Sequence, residues 1–253
     1  SFSKYAQNRN FEAASVFRSS VTRIPVKKSA RKLRVSFTVP ELKLLLRTPN
    51  EAKRNGKRDK TLLSLMYASG ARAQEICNLK VKDVIFQDSG VAIIILTGKG
   101  GKARKIGIPA SCATILERYI LSKEIESKPQ RHIFSSQTHE MMTVSCIEEI
   151  FKKHVSACRE AHPHLFPAGS YPPHAMRHTT ACHMLEAGIP LIVIKNFLGH
   201  VSIATTQVYA EVSQDLANRH LKTWSERWFG AAPSEDATDS ERRENAIPDF
   251  LQT

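Results

Sequence analysis

Apolar residues at Val144, Ile147, Phe151, Val155 and Cys158 recur at spacings of three and four, which predicts one helix from about Thr143 to Ala161 with a single apolar stripe. Leu216, His220, Trp224 and Trp228 repeat every fourth position and predict a second stripe near the C-terminal end. Pro40-Glu41, Asp59 and Pro172-Pro173 have the chemistry of helix starts. Leu198-Gly199 closes a short apolar helix. Two segments break the helical period. Val91 to Thr97 is β-branched and apolar, and Ala103 to Pro109 alternates more weakly, with Gly98-Lys99-Gly100-Gly101 between them. This predicts a β-hairpin, with Val84-Ile85-Phe86 as a third strand turned at Asp88-Ser89-Gly90. The expected fold is mainly α-helical with one small antiparallel β-sheet.

With 42% hydrophobic residues among 253, the chain can bury a substantial core. The longest purely apolar run, Val91 to Leu96, is far short of the ~20 residues needed to span a membrane, and no apolar signal core opens the chain. A soluble, cytoplasmic protein is expected, nucleoid-associated if bacterial. Five cysteines, at 77, 112, 146, 158 and 182, form no Cys-x-x-Cys pair, which argues against a disulfide scaffold or a zinc ribbon.

The net charge of +13 changes the picture more than the composition does. Between Ser1 and Arg34 stand nine Lys or Arg against Glu12 alone, a net +8. Between Phe229 and Thr253 stand Arg242 and Arg243 against six acids, a net −4. Val35 to Trp228 therefore carries +9 in its own right. A field of this sign suits a polyanion such as the phosphate backbone, the plainer reading being a basic protein without such a partner. The expected organisation is a basic arm over 1–36, a folded domain over 37–228 and an acidic tail over 229–253. A first residue of Ser rather than Met suggests an excised or processed chain.

Candidate chemistry is concentrated in a few short strings. His174 and Arg177 in His174-Ala175-Met176-Arg177-His178 are three apart at a predicted helix start, where they would share a face near outward-pointing backbone N–H groups, a seat for phosphate. Capping and salt-bridging of an ordinary helix is the structural alternative. Arg72 lies at a turn into a helix with Glu75 one turn on. Gly199-His200 follows the short apolar helix, and Tyr209 stands nine residues later. His174 and His178 also have the spacing of zinc-binding helices, but no His-Glu-x-x-His string or acidic third ligand accompanies them, and His178 and His183 are expected to be packing or surface residues.

The order Arg72, a hairpin lysine, His174-x-x-Arg177, Gly199-His200 and Tyr209 resembles the catalytic domain of the tyrosine recombinases, the family of phage integrases and Xer-type resolvases, over roughly Phe37 to Trp228. The resemblance implies that Arg72 and Arg177 hold the scissile phosphate and that His174 and His200 are the two box histidines. It also implies that Glu75 supports the first arginine and that Tyr209 is the nucleophile. Lys99 matches the hairpin lysine through Thr97-Gly98-Lys99-Gly100, with Lys102 three residues away as the alternative. Lys102, Arg104 and Lys105 in the hairpin and Lys27, Lys28, Arg31 and Lys32 in the arm are expected to touch the DNA backbone; a simply solvated turn is the rival reading of the hairpin cluster.

The chemistry fits these residue types. Attack on a phosphodiester concentrates negative charge on the non-bridging oxygens, which two permanently protonated guanidinium forks can neutralise. A tyrosine hydroxyl ionises near pH ~10 when unperturbed, so it needs cationic surroundings and a nearby base such as His174. The leaving 5′ oxygen needs a proton in return, the part implied for Lys99, with His200 bonding the phosphate. Because a 3′-phosphotyrosyl link keeps the phosphodiester energy, no metal, ATP or other cofactor is expected.

The resemblance implies double-stranded DNA as partner, a tetramer on two DNA sites and accessory DNA-bending proteins. It also implies a helical core-binding domain ahead of the catalytic one, with the arm as its remnant or linker. Integration or transposition is the favoured role. Ala246-Ile247-Pro248-Asp249-Phe250-Leu251, an apolar string after an acidic linker, is expected to dock on a neighbouring subunit, with a disordered tail as the rival. The alternatives are relaxation of supercoils in the manner of type IB topoisomerases, a non-catalytic DNA-binding regulator, and a zinc-dependent hydrolase.

Overall fold

The chain divides into two units, Ser1–Leu33 and Arg34–Thr253. The computed structural model describes residues 35–136 and 139–199, together with Ser15. The predicted stripe from Leu216 to Trp228, the acidic tail and, apart from Ser15, Val35 and Ser36, the basic arm lie outside the described residues.

Helix α1, Val39–Arg47, begins at a capping box: the Glu41 amide donates to Thr38 Oγ1 at 3.4 Å and the Thr38 amide to Glu41 Oε2 at 2.7 Å. Pro40 falls within its first turn, where a missing N–H costs nothing. Helix α2, Gly56–Ser69, is the centre of the domain, and Leu62, Leu63, Leu65 and Met66 are buried from it. Burial of each such side chain contributes roughly 1.5–3 kcal/mol. A left-handed turn at Gly70 ends α2 and leads into the short helix α3, Ala73–Asn78.

The three strands β1, Val84–Phe86, β2, Ala92–Thr97, and β3, Ala103–Ile108, form an antiparallel sheet in the order β1-β2-β3. Ala92 pairs with Ile108, Ile94 with Ile106 and Leu96 with Arg104. The period of two then turns Ala92, Ile94, Leu96, Ile106 and Ile108 into the core, and Arg104 stands on the same face. Lys105 is on the opposite, exposed face.

Helix α4, Ala110–Ser122, an element beyond those expected from sequence, follows β3 directly and buries Cys112, Ala113, Leu116, Tyr119 and Ile120 against α2. Helix α5, Val144–Ala161, lies where its stripe predicts, and Thr143 caps it by accepting from the Cys146 amide at 3.3 Å. Helix α6, Pro173–Glu186, starts at the predicted proline pair, and α7, Leu191–Leu198, ends at Gly199. The five cysteines are free thiols. No helix among the described residues is long and apolar enough to cross a membrane.

Two buried carboxylates fasten the helices packed around the candidate residues. Glu41 accepts from the Phe166 amide at 2.7 Å and from the Tyr171 hydroxyl at 3.3 Å, pinning the loop that leads into α6. Asp59, fully buried, holds Arg58 at 2.8 Å, His154 at 2.9 Å and Lys153 at 3.0 Å and so ties α2 to α5. Burial alone would raise its carboxyl, but the hydrogen bonds from His154, Arg58 and Lys153 outweigh it and hold the group at about 2.

Candidate active site

Arg72 is the residue immediately before α3, in extended conformation, and its amide donates to Glu75 Oε2 at 2.8 Å. Its Nη1 reaches Glu75 Oε1 at 3.0 Å while its side chain stays 39% exposed. Glu75 is buried and has a second, stronger partner. Arg104 Nη1 and Nη2 donate to Oε1 at 2.7 Å and to Oε2 at 2.8 Å, a two-pronged fork across the carboxylate. Desolvation would raise the Glu75 carboxyl; the bonds from Arg104 and from the Arg72 amide overcome it and lower the group to about 2. Glu75 is therefore a fixed anion that orients Arg72.

Arg104 differs from the other hairpin cations. Its charge groups it with Lys102 and Lys105 as contacts to DNA, and both lysines are exposed. Strand alternation instead turns Arg104 inward, where it bonds Glu75 and also donates from Nε to the Phe197 carbonyl at 3.2 Å. The backbone of Lys99 lies in the 3₁₀ turn Lys99–Gly101 at the tip of the hairpin. Gly98, just before it, approaches Glu75 so closely that a Cβ there would lie 3.3 Å from Oε1.

The two members of the predicted phosphate seat have unlike surroundings. His174 is exposed in the first turn of α6, whereas Arg177 is buried. Arg177 Nη1 donates to the Gly70 carbonyl at 2.7 Å and Nη2 to the Leu198 carbonyl at 2.6 Å. Both acceptors lie at helix C-termini, where partial negative charge collects, and a cation between them stabilises both ends. Gly70 and Gly199 each have positive φ, 56° and 65°, so these turns need glycine. Arg177 thus braces the chain two residues before Arg72 and two residues before His200. Spacing alone predicts a shared ligand-facing surface for His174 and Arg177; in the structure His174 is exposed and Arg177 is a buried brace, a role no local pattern signals.

His178 is buried, and His183 Nδ1 lies 3.0 Å from the Tyr67 hydroxyl, so both pack within the helical layer. Among the described residues no group of three His, Cys, Asp or Glu is placed to hold a metal ion. His200, Tyr209, Lys27, Lys28, Arg31 and Lys32 lie outside the described residues.

The sequence profile of the Phage integrase family matches residues 36–215. The chain belongs to this family. The phage integrase match takes in Arg72, Lys99, His174, Arg177, His200 and Tyr209. Similar curated proteins include tyrosine recombinase XerC of Pelobacter propionicus, 30% identical over 79% of this chain and 63% of that protein. Another is tyrosine recombinase XerA of Pyrococcus furiosus, 33% identical over 76% of this chain and 61% of that protein. The chain spans about three fifths of the length of these relatives.

Among solved structures, the XerA recombinase shares 26% identity at a TM-score of 0.61, over 87% of this chain and 76% of that one. The XerH site-specific recombinase in its post-cleavage complex with a palindromic difH substrate shares the fold, with 20% identity and a TM-score of 0.66 over 79% of this chain and 56% of that one. Mainly helical architecture with a small antiparallel sheet is thus the phage integrase fold in this chain.

Proposed function

We propose that this chain is the catalytic part of a DNA strand-breaking and rejoining enzyme that works through a 3′-phosphotyrosine intermediate. One observation carries the reading: Arg177 bonds the carbonyls of Gly70 and Leu198 and so gathers the turns that lead to Arg72 and His200 around one guanidinium. Two turns far apart in sequence thereby meet at one buried cation, which supports a site drawn from both, as attack on a single phosphorus requires.

In this reading Arg72 and Arg177 neutralise the non-bridging oxygens as charge grows on them. Tyr209 Oη attacks phosphorus and its proton passes to His174; the bond to the 5′ oxygen breaks, and Lys99 supplies the proton that oxygen takes up. His200 bonds the phosphate. Attack by a DNA 5′-hydroxyl on the phosphotyrosine reverses the sequence, so neither metal nor ATP is consumed. Lys102 and Lys105, with Lys27, Lys28, Arg31 and Lys32 of the arm, contact the phosphate backbone, and binding weakens steeply with salt. Exchange takes place in a tetramer on two DNA sites, where the apolar string from Ala246 to Leu251 docks on a neighbouring subunit; deletion of residues 247–253 should weaken assembly. Accessory DNA-bending proteins and a preceding core-binding domain complete the complex, which acts on double-stranded DNA in the cytoplasm.

The test is incubation with a nicked duplex that loses its 5′-hydroxyl strand after cleavage. A protein–DNA adduct that resists denaturant and forms equally in chelator is expected. Binding without adduct would overturn the enzymatic reading in favour of a regulator. Strand exchange between two sites, rather than relaxation of a supercoiled plasmid, separates a recombinase from a topoisomerase.

A further inference from the structure

Arg104 is the one cation of the β2–β3 hairpin that the proposed chemistry leaves without a part, and its guanidinium reaches two other segments of the chain. Its two terminal nitrogens bond both oxygens of Glu75, at 2.7 and 2.8 Å, and its Nε bonds the Phe197 carbonyl at 3.2 Å. Glu75 in turn holds the amide and the guanidinium of Arg72. Phe197 is in the last turn of α7, three residues before His200, and the Arg104 stem packs so tightly there that a Cβ on Gly199 would fall 2.9 Å from its Cδ. On the hairpin side, Glu75 Oε1 lies against Gly98, next to Lys99. One side chain therefore touches, directly or through one carboxylate, the three segments that carry Arg72, Lys99 and His200.

We infer that Arg104 is a positioning residue of the proposed reaction: it locks the β2–β3 hairpin to the turns bearing Arg72 and His200, so that its loss slows strand cleavage without loosening DNA binding. The inference rests on the function proposed above. Planarity is what suits arginine to this place. A guanidinium can cover a carboxylate with two parallel bonds and still direct Nε to a carbonyl on a third segment, whereas an ammonium on a lysine stem is a single point of charge. Removal of Arg104 would leave Glu75 buried with Arg72 alone to compensate it, drawing Arg72 inward and freeing the hairpin.

The experiment compares the full chain with Arg104→Lys, Arg104→Gln and the double variant Arg104→Gln/Glu75→Gln. It reads single-turnover cleavage of the nicked duplex, equilibrium DNA affinity, urea unfolding and amide hydrogen exchange. Arg104→Gln should cleave at least about 30-fold more slowly with DNA affinity within about threefold, and Arg104→Lys should fall between it and the parent chain. The double variant removes the uncompensated anion, so it should regain unfolding stability without regaining the cleavage rate. Exchange at Gly98 to Lys102 and at Gly199 should accelerate in both glutamine variants.

Cleavage by Arg104→Gln within threefold of the parent, recovery of cleavage together with stability in the double variant, or unchanged amide exchange would each overturn the inference. Exchange reads the lock even in a chain that forms no adduct, so failure of the functional reading and failure of this inference give different results.

Discussion

Arg177 Nη1 donates to the carbonyl oxygen of Gly70 at 2.7 Å across 107 residues of sequence, and the same guanidinium holds Leu198 from the other side. Two helix C-termini thus share one buried cation. A lysine ammonium at this position has no fork with which to span both carbonyls, and a neutral side chain would leave two buried acceptors unsatisfied. Arg177→Lys should therefore lose about 3 kcal/mol of folding stability as well as adduct formation, measured by urea unfolding alongside cleavage of the nicked duplex.

Arg72 presents the opposite case. Its side chain is 39% exposed, and its contact with Glu75 is shared with Arg104. Arg72→Lys should cost less than about 1 kcal/mol of stability yet reduce cleavage about a hundredfold or more, because a point charge replaces the fork at the phosphate. The contrast between the two arginines, one altering stability and cleavage together and the other cleavage alone, is read from the same pair of assays.

Acid should weaken the fold over a defined range. Asp59 and Glu75 are both held at about 2 when folded, against ordinary values of 3.8 and 4.5. A lowered folded value means that the unfolded chain binds protons first, so the stabilisation is fully present above about pH 4.5 and is lost as pH falls toward 2. Each group should contribute on the order of 2–3 kcal/mol to this loss. Unfolding midpoints between pH 2 and 6 should show the slope, and Asp59→Asn or Glu75→Gln should each remove its own share while lowering stability at neutral pH.

Gly199 joins α7 to His200 with a φ of 65°, and Arg104 fills the space where its Cβ would be. Gly199→Ala should destabilise the chain by about 1–2 kcal/mol through the left-handed backbone and the displaced arginine stem. Thermal unfolding measures the first effect. Cleavage should fall further than stability does, because the shift is passed to both Arg104 and His200.

Much of this architecture is legible in the sequence because local patterns set it. The stripe from Val144 to Cys158 marks α5, the proline pair marks α6, and the glycine turn between two apolar runs marks the hairpin. Helix α4 is legible as well: Cys112, Ala113, Leu116, Tyr119 and Ile120 form a stripe at successive spacings of one, three, three and one, placed so soon after Pro109 that it is easily merged with the strand. Arg104 is a subtler case. Its charge suggests solvent, but its position two residues before Ile106 and four before Ile108 puts it on the inner face of β3, a signal available from alternation alone. The bracing by Arg177 has no such signal, since it depends on two turns brought together only by packing of α2, α6 and α7.

Identification of the residue that becomes joined to DNA tests the central claim most directly. After incubation with the nicked duplex, nuclease trimming and proteolysis, mass spectrometry should find a nucleotide-bearing peptide modified at Tyr209, and Tyr209→Phe should bind DNA with nearly unchanged affinity while forming no adduct. Modification at another side chain, or an adduct that persists in Tyr209→Phe, would contradict the account.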